Sequence, residues 1–156
     1  MFSTLALYSL TLVILHWNMD FKTTVASLYF LLIHADGNVG EKEMVRGKQM
    51  MKAEGIDETK FNLLIEKLKT RKQEEIYRDC ISALKRLDSK SQIRCIAWLC
   101  VVANADGFMD KKEWMLIYKI YQNELNLKLD DIMSTQKDLN KILHGKEFLS
   151  LGVKMS

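Results

Sequence analysis

A chain of 156 residues without proline, with seven glycines and long stretches rich in Leu, Ile, Met, Lys and Glu, is one domain able to bury a core without staples. Strands need turn chemistry every few residues, and none is present, so the chain reads as all-α. A net charge of +3 with both signs interspersed argues against a nucleic-acid surface. Three cysteines without CxxC spacing or a neighbouring histidine read as buried thiols, not a zinc site or a disulfide framework.

Residues 1–17 carry no charged side chain. A secretory signal needs Lys or Arg ahead of the apolar run and a small-residue cleavage site behind it, but this run ends His16-Trp17-Asn18-Met19-Asp20. At about 1.5 Å per residue it is marginal for a hydrocarbon core about 30 Å thick. The favoured reading is a helix over 3–17 packed on the domain. A peripheral membrane contact through 1–17 is second, and initiation at Met19 is third. The chain therefore divides into an apolar segment, 1–18, and a helical domain, 19–156.

The next helix spans about 21–35 and turns Val25, Leu28, Leu31 and Leu32 inward. Another covers about 41–54 and stops at Gly55, a good residue for the position after a helix end. Asp57 caps a helix over 58–69, where Phe61, Leu64, Ile65 and Leu68 form a one-sided stripe. The basic run Lys67 to Lys72 offsets the negative end of that helix. A helix over 73–87 offers Ile76, Cys80, Ala83, Leu84 and Leu87. Ser89 or Ser91 caps one over 91–105, with Ile93, Ile96, Ala97, Cys100 and Val101 inward. The helix over 111–125 places Trp114, Ile117, Tyr118, Tyr121 and Leu125 largely in the core. A last helix follows Asp130 or Asp131 and ends near His144-Gly145. The tail from Lys146 is apolar enough to dock.

Residues 25–54 lay over 95–124, and the helices that follow correspond after a three-residue insertion around Leu127. The chain reads as a duplicated three-helix unit joined by the helix at 73–87, its copies antiparallel about a pseudo-dyad. The whole is a single bundle of about eight helices. Gly47 stands mid-helix where the second copy has Ile117, and marks either a close crossing or an ordinary surface position.

The pattern Asp-Gly-x-apolar-x-x-x-Glu occurs at 36–43 and again seventy residues later at 106–113. It matches the second half of an EF-hand loop, but the first and third loop positions hold Leu32 and His34, or Val102 and Asn104. An apolar first position removes the anchoring carboxylate, so two calmodulin-like sites are not expected. Folding alone explains much of the motif. Gly37 and Gly107 can end a helix in the left-handed region. Asp110 and Glu113 have capping-box spacing, and Gly40 with Glu43 is a weaker version. Val39 and Met109 plug the corners, while Asp36 and Asp106 accept from amides of the next helix. Folding does not require the same Asp and Glu in both copies. Paired about a dyad, Asp36, Glu43, Asp106 and Glu113 converge on one rim with Glu41 and Asp110 beside them and His34 adjoining. Such carboxylates raise one another's pKa and invite Ca²⁺ or Mg²⁺.

His34-Ala35-Asp36-Gly37-Asn38-Val39-Gly40-Glu41-Lys42-Glu43 and Asn104-Ala105-Asp106-Gly107-Phe108-Met109-Asp110-Lys111-Lys112-Glu113 resemble the TerB-like family named for tellurite resistance, over about residues 21–143. The resemblance implies an all-helical pseudo-symmetric fold, with its acidic positions falling on Asp36, Glu43, Asp106 and Glu113 as a metal or interaction site. Similar domains occur alone, in membrane-associated stress-response systems, and ahead of J-domains; a J-domain needs a His-Pro-Asp motif, impossible here without proline. Gly40, where the second copy has Asp110, departs from symmetric metal binding. No phosphate loop or nucleophile with an evident base suggests a reaction. The expectation is a non-enzymatic module presenting an acidic rim to a protein partner in metal, tellurite or envelope stress. It would be cytoplasmic and membrane-associated at most peripherally. The alternative is a Ca²⁺ or Mg²⁺ binder with the four motif carboxylates as ligands.

Overall fold

The computed structural model describes the backbone of residues 19–150 and the side chains of residues 19–145. The expected helix over 3–17 and the docking of the tail lie outside the described residues. Among those described, seven helices and no strand are present. They are α1 (Phe21–Ile33), α2 (Glu41–Ala53), α3 (Glu58–Lys69), α4 (Gln73–Arg86), α5 (Ser89–Ala103), α6 (Lys111–Tyr118, continued as a π-helix over Lys119–Glu124) and α7 (Leu129–Ser150). None of them is long and apolar enough to cross a membrane.

Helix α1 is buried continuously from Thr24 to Ile33, and α5 from Cys95 to Ala103. A helix that is apolar all round must be enclosed all round. These two are the central pair, and they pack on each other. Helices α2 and α6 each touch both members of the pair, while α3 flanks α1 and α7 flanks α5. Exchanging α1, α2 and α3 for α5, α6 and α7 reproduces the arrangement, which is the expected internal two-fold. Helix α4 packs against α1. The polar residues inside α1 are satisfied locally: Thr24 Oγ1 donates to the Asp20 carbonyl (2.7 Å) and Ser27 Oγ to that of Thr23 (2.8 Å).

Two glutamates at equivalent positions, Glu54 and Glu124, each tie a helix end to a neighbouring helix. Trp98 is fully buried, and its Nε1 donates to Glu54 Oε1 (2.6 Å), which also takes the Arg94 guanidinium. Glu124 accepts from the Tyr77 hydroxyl (3.3 Å) and pairs with Lys85 (3.6 Å). Gly47 is the close crossing: a Cβ there would overlap the ring of Tyr29, which is itself buried against Phe61.

Several boundaries differ from the sequence expectation. Asp88, not Ser89 or Ser91, caps α5, its Oδ1 accepting from the Ser91 amide (2.7 Å); a carboxylate outcompetes a hydroxyl for that amide. Helix α7 runs through Gly145, whose φ is not positive, because one interior glycine costs only about 1 kcal/mol and no proline follows to force a stop. The π-helix at the end of α6 also departs from the expected α-helix. Trp114 and Tyr118 are not core residues: they are 38% and 44% exposed, and shield one another with Tyr121 in a cluster whose ring centroids lie 5.5–6.3 Å apart. The inward positions of this segment are Glu113, Ile117, Ile120 and Tyr121. Val39 is exposed instead of plugging its corner, whereas Met109 packs on the core.

Candidate acidic site at the paired turns

Both motifs begin where a central helix ends. Gly37 (φ +80°) and Gly107 (φ +89°) reverse the chain, and a Cβ at either would meet nothing within 4 Å. Backbone conformation, not crowding, therefore requires glycine there. Asp36 Oδ1 accepts from the Asn38 amide (2.9 Å) within the first turn. Asp110 caps α6, its Oδ1 accepting from the Lys112 amide (2.8 Å). Gly40 holds the cap position of α2 without a side chain. Its amide instead bonds the Glu43 carboxyl, half of a capping box.

The centre of the site is the pair Glu43 and Glu113, in the first turns of α2 and α6. They are only 6% and 3% exposed, and their carboxyls face each other across the pseudo-dyad. Two buried carboxyls this close favour the protonated form. Among the described residues, no N–H or O–H donor reaches the buried Oε2 of either. Burial, then the neighbouring Glu43, then Asp36 and Asp110 push the Glu113 carboxyl up to about 8. Burial raises Glu43 as well, with Asp36 and Asp106 adding to it, while its hydrogen bond to the Gly40 amide acts the other way.

Oxygens of Asp36, Asp110 and Glu113 all lie within 4.8 Å of one another. The aspartate of the first turn thus joins the cap and the glutamate of the second. The mirror-related trio would be Asp106, residue 40 and Glu43, but residue 40 is glycine. That half is also partly neutralised, since Lys42 Nζ lies 3.8 Å from Asp106 Oδ1, both groups being exposed. The structure therefore gathers Asp36, Glu43, Asp110 and Glu113, with Asp106 on the flank. Glu41 is exposed on the first turn of α2. His34 is turned back on its own helix, with Nδ1 2.8 Å from the Phe30 carbonyl and its ring tilted against Phe30, centroids 4.3 Å apart. Lys42 was missed in reading the sequence, although a signal existed: Lys precedes the motif Glu in both copies, as Lys42 and Lys112.

The family model described as "Tellurite resistance protein TerB" matches residues 22–136, most of the chain, and the protein belongs to that family. No curated protein and no solved structure matches it.

Proposed function

We propose that the two turns build a single divalent-cation site of the Ca²⁺ or Mg²⁺ class in a non-enzymatic helical module. Asp36, Asp110 and Glu113 would be the principal ligands, with Glu43 behind them. The observation that carries this reading is the pair of buried carboxyl oxygens on Glu43 and Glu113 that no donor among the described residues reaches. A buried polar atom left unpaired costs about 1–3 kcal/mol, and more when charged. Either a proton or a hard cation can relieve it, and neighbouring aspartates favour the cation. Waters would complete the coordination, as an open oxygen-only site allows.

The loaded rim is also the surface we assign to a protein partner. Phe108, 72% exposed, and Val39, 42% exposed, stand on the same two turns and give an otherwise polar surface an apolar contact. The family description suggests tellurite resistance as the setting.

Differential scanning fluorimetry with Ca²⁺ or Mg²⁺ tests the cation. A ligand at 100 times its Kd stabilises by about 2.7 kcal/mol, so the melting temperature should rise by several degrees. Asp36→Asn with Asp110→Asn should abolish the rise. No shift at millimolar concentrations of either metal would eliminate the site for these ions.

A further inference from the structure

Helices α4 and α6 both pack on α1, and an open groove of about 620 Å³ lies between them. Leu31 of α1, Ala35 just beyond it and Leu116 of α6 line it with apolar surface. Arg78 from α4 and Lys112 and Lys119 from α6 stand around these, all exposed, against a single lining carboxylate, Glu74. Among the described residues none of the three cations is in an ion pair. Lys119 is nonetheless held: its Nζ lies 4.4 Å from the centre of the Tyr77 ring, and the Tyr77 hydroxyl donates to Glu124 (3.3 Å). This bridge between α6 and α4 positions one cation before any ligand arrives.

The groove is not a by-product of the duplication. Seventy residues before Lys112, Leu116 and Lys119 stand Lys42, Arg46 and Gln49. There Arg46 Nη1 donates to Gln49 Oε1 (2.9 Å), so the first unit joins by a hydrogen bond the positions that in the second are Leu116 and Lys119. Lys112 and Lys119 are about 10 Å apart along the helix, two turns, with Leu116 between them. Cations spread over that length match several negative charges on one surface better than a single small anion. A cleft between two helices with apolar lining receives an amphipathic helix, whose own stripe recurs at the same spacing.

We propose that this groove takes an acidic amphipathic helix of a partner protein, its apolar stripe on Leu31, Ala35 and Leu116 and its flanking carboxylates facing Arg78, Lys112 and Lys119. The contact shares no residue with the acidic rim and does not depend on a cation there.

The test uses the full chain and a fluorescein-labelled synthetic helix with leucines at three- and four-residue spacing flanked by glutamates, read by anisotropy. A second peptide carries glutamine for every glutamate. The acidic peptide should bind saturably, and the glutamine peptide about tenfold more weakly or worse. Lys112→Glu with Lys119→Glu should weaken the acidic peptide by about tenfold or more, and Leu116→Asn by about threefold or more. Lys48→Glu with Lys137→Glu, an equal change in net charge on exposed residues outside the groove, should alter it by less than about twofold. The lysines are all exposed, so the two double variants should melt within about 3 °C of the original chain. Failure of the acidic peptide to saturate by about 1 mM protein, equal binding of the two peptides, or equal loss in the two double variants overturns the proposal. Binding of phosphatidylglycerol vesicles but not of the acidic peptide overturns it in favour of a lipid surface.

Discussion

Glu43 and Glu113, seventy residues apart in sequence, meet across the pseudo-dyad with almost no exposure to solvent, the charge of Glu43 adding to the rise in the Glu113 carboxyl. Burial and mutual repulsion favour the protonated form, so the folded state holds its proton more tightly than the unfolded one. The sign follows. A carboxyl raised from 4.5 to about 8 stabilises the fold fully below pH 4.5, and that contribution is lost as the pH rises through 8. In EDTA the melting temperature should therefore fall between pH 5 and pH 8.5. Glu113→Gln should flatten the profile and raise stability at pH 8 by about 1–3 kcal/mol. A profile unchanged by the substitution would contradict a raised Glu113 carboxyl.

The two halves of the site should not be equivalent. Asp36 stands with Asp110 and Glu113, oxygens within 4.8 Å, whereas Asp106 faces Lys42, and the position equivalent to Asp110 in its half is Gly40. Removing one charged ligand from a compact oxygen site sacrifices a strong attraction, while a flanking exposed charge acts through screened water. Calorimetric titration with Ca²⁺ should show Asp36→Asn weakening binding by about tenfold or more and Asp106→Asn by about threefold or less, with one ion per chain. Equal losses, or two ions, would contradict the asymmetric site.

Glu54 should matter to stability far more than its position at a helix end suggests. It is the partner of the fully buried Trp98 indole and of the Arg94 guanidinium, and it joins α2 to the central helix of the other unit. Glu54→Ala strands the buried Trp98 N–H and removes the partner of the partly exposed Arg94 guanidinium. The expected loss is about 2–4 kcal/mol, with a change in tryptophan emission in the folded state. Glu54→Gln, which retains an acceptor, should recover part of it. Chemical denaturation followed by fluorescence reads both.

Local chemistry made most of the fold legible. Asp20, Asp57 and Asp110 each cap a helix, and Gly37, Gly55 and Gly107 each take a positive φ where the chain turns. Such signals act within a few residues and can be read from composition alone. The convergence of the motif carboxylates was also legible, because two copies about a dyad bring equivalent corners together. The burial of Glu43 and Glu113 was not, since a charged residue in a helical first turn ordinarily faces water. Nor was the contact of Glu54 with Trp98: nothing local announces a partner 44 residues away. Trp114 and Tyr118 misled for a different reason. Their spacing fits an inward stripe, but the inward places on α6 were taken by Ile117, Ile120 and a buried glutamate.

Gly47 gives the last prediction, because propensity and packing there demand opposite signs. In a helix interior Gly→Ala is worth about 1 kcal/mol of stabilisation. A Cβ at this position, however, would occupy the space of the Tyr29 ring, which lies against Phe61 with centroids 5.9 Å apart. That ring is buried, 5% exposed, and close packing resists its displacement, so the backbone of α2 is pushed away from α1. Overpacking of this kind costs about 1–3 kcal/mol and sometimes more, and packing should win. Gly47→Ala should therefore destabilise in urea. Combined with Tyr29→Ala it should cost less than the two single changes added together, since the clash disappears with the ring. A neutral or stabilising Gly47→Ala would mean that α1 and α2 do not cross at the separation this structure gives them.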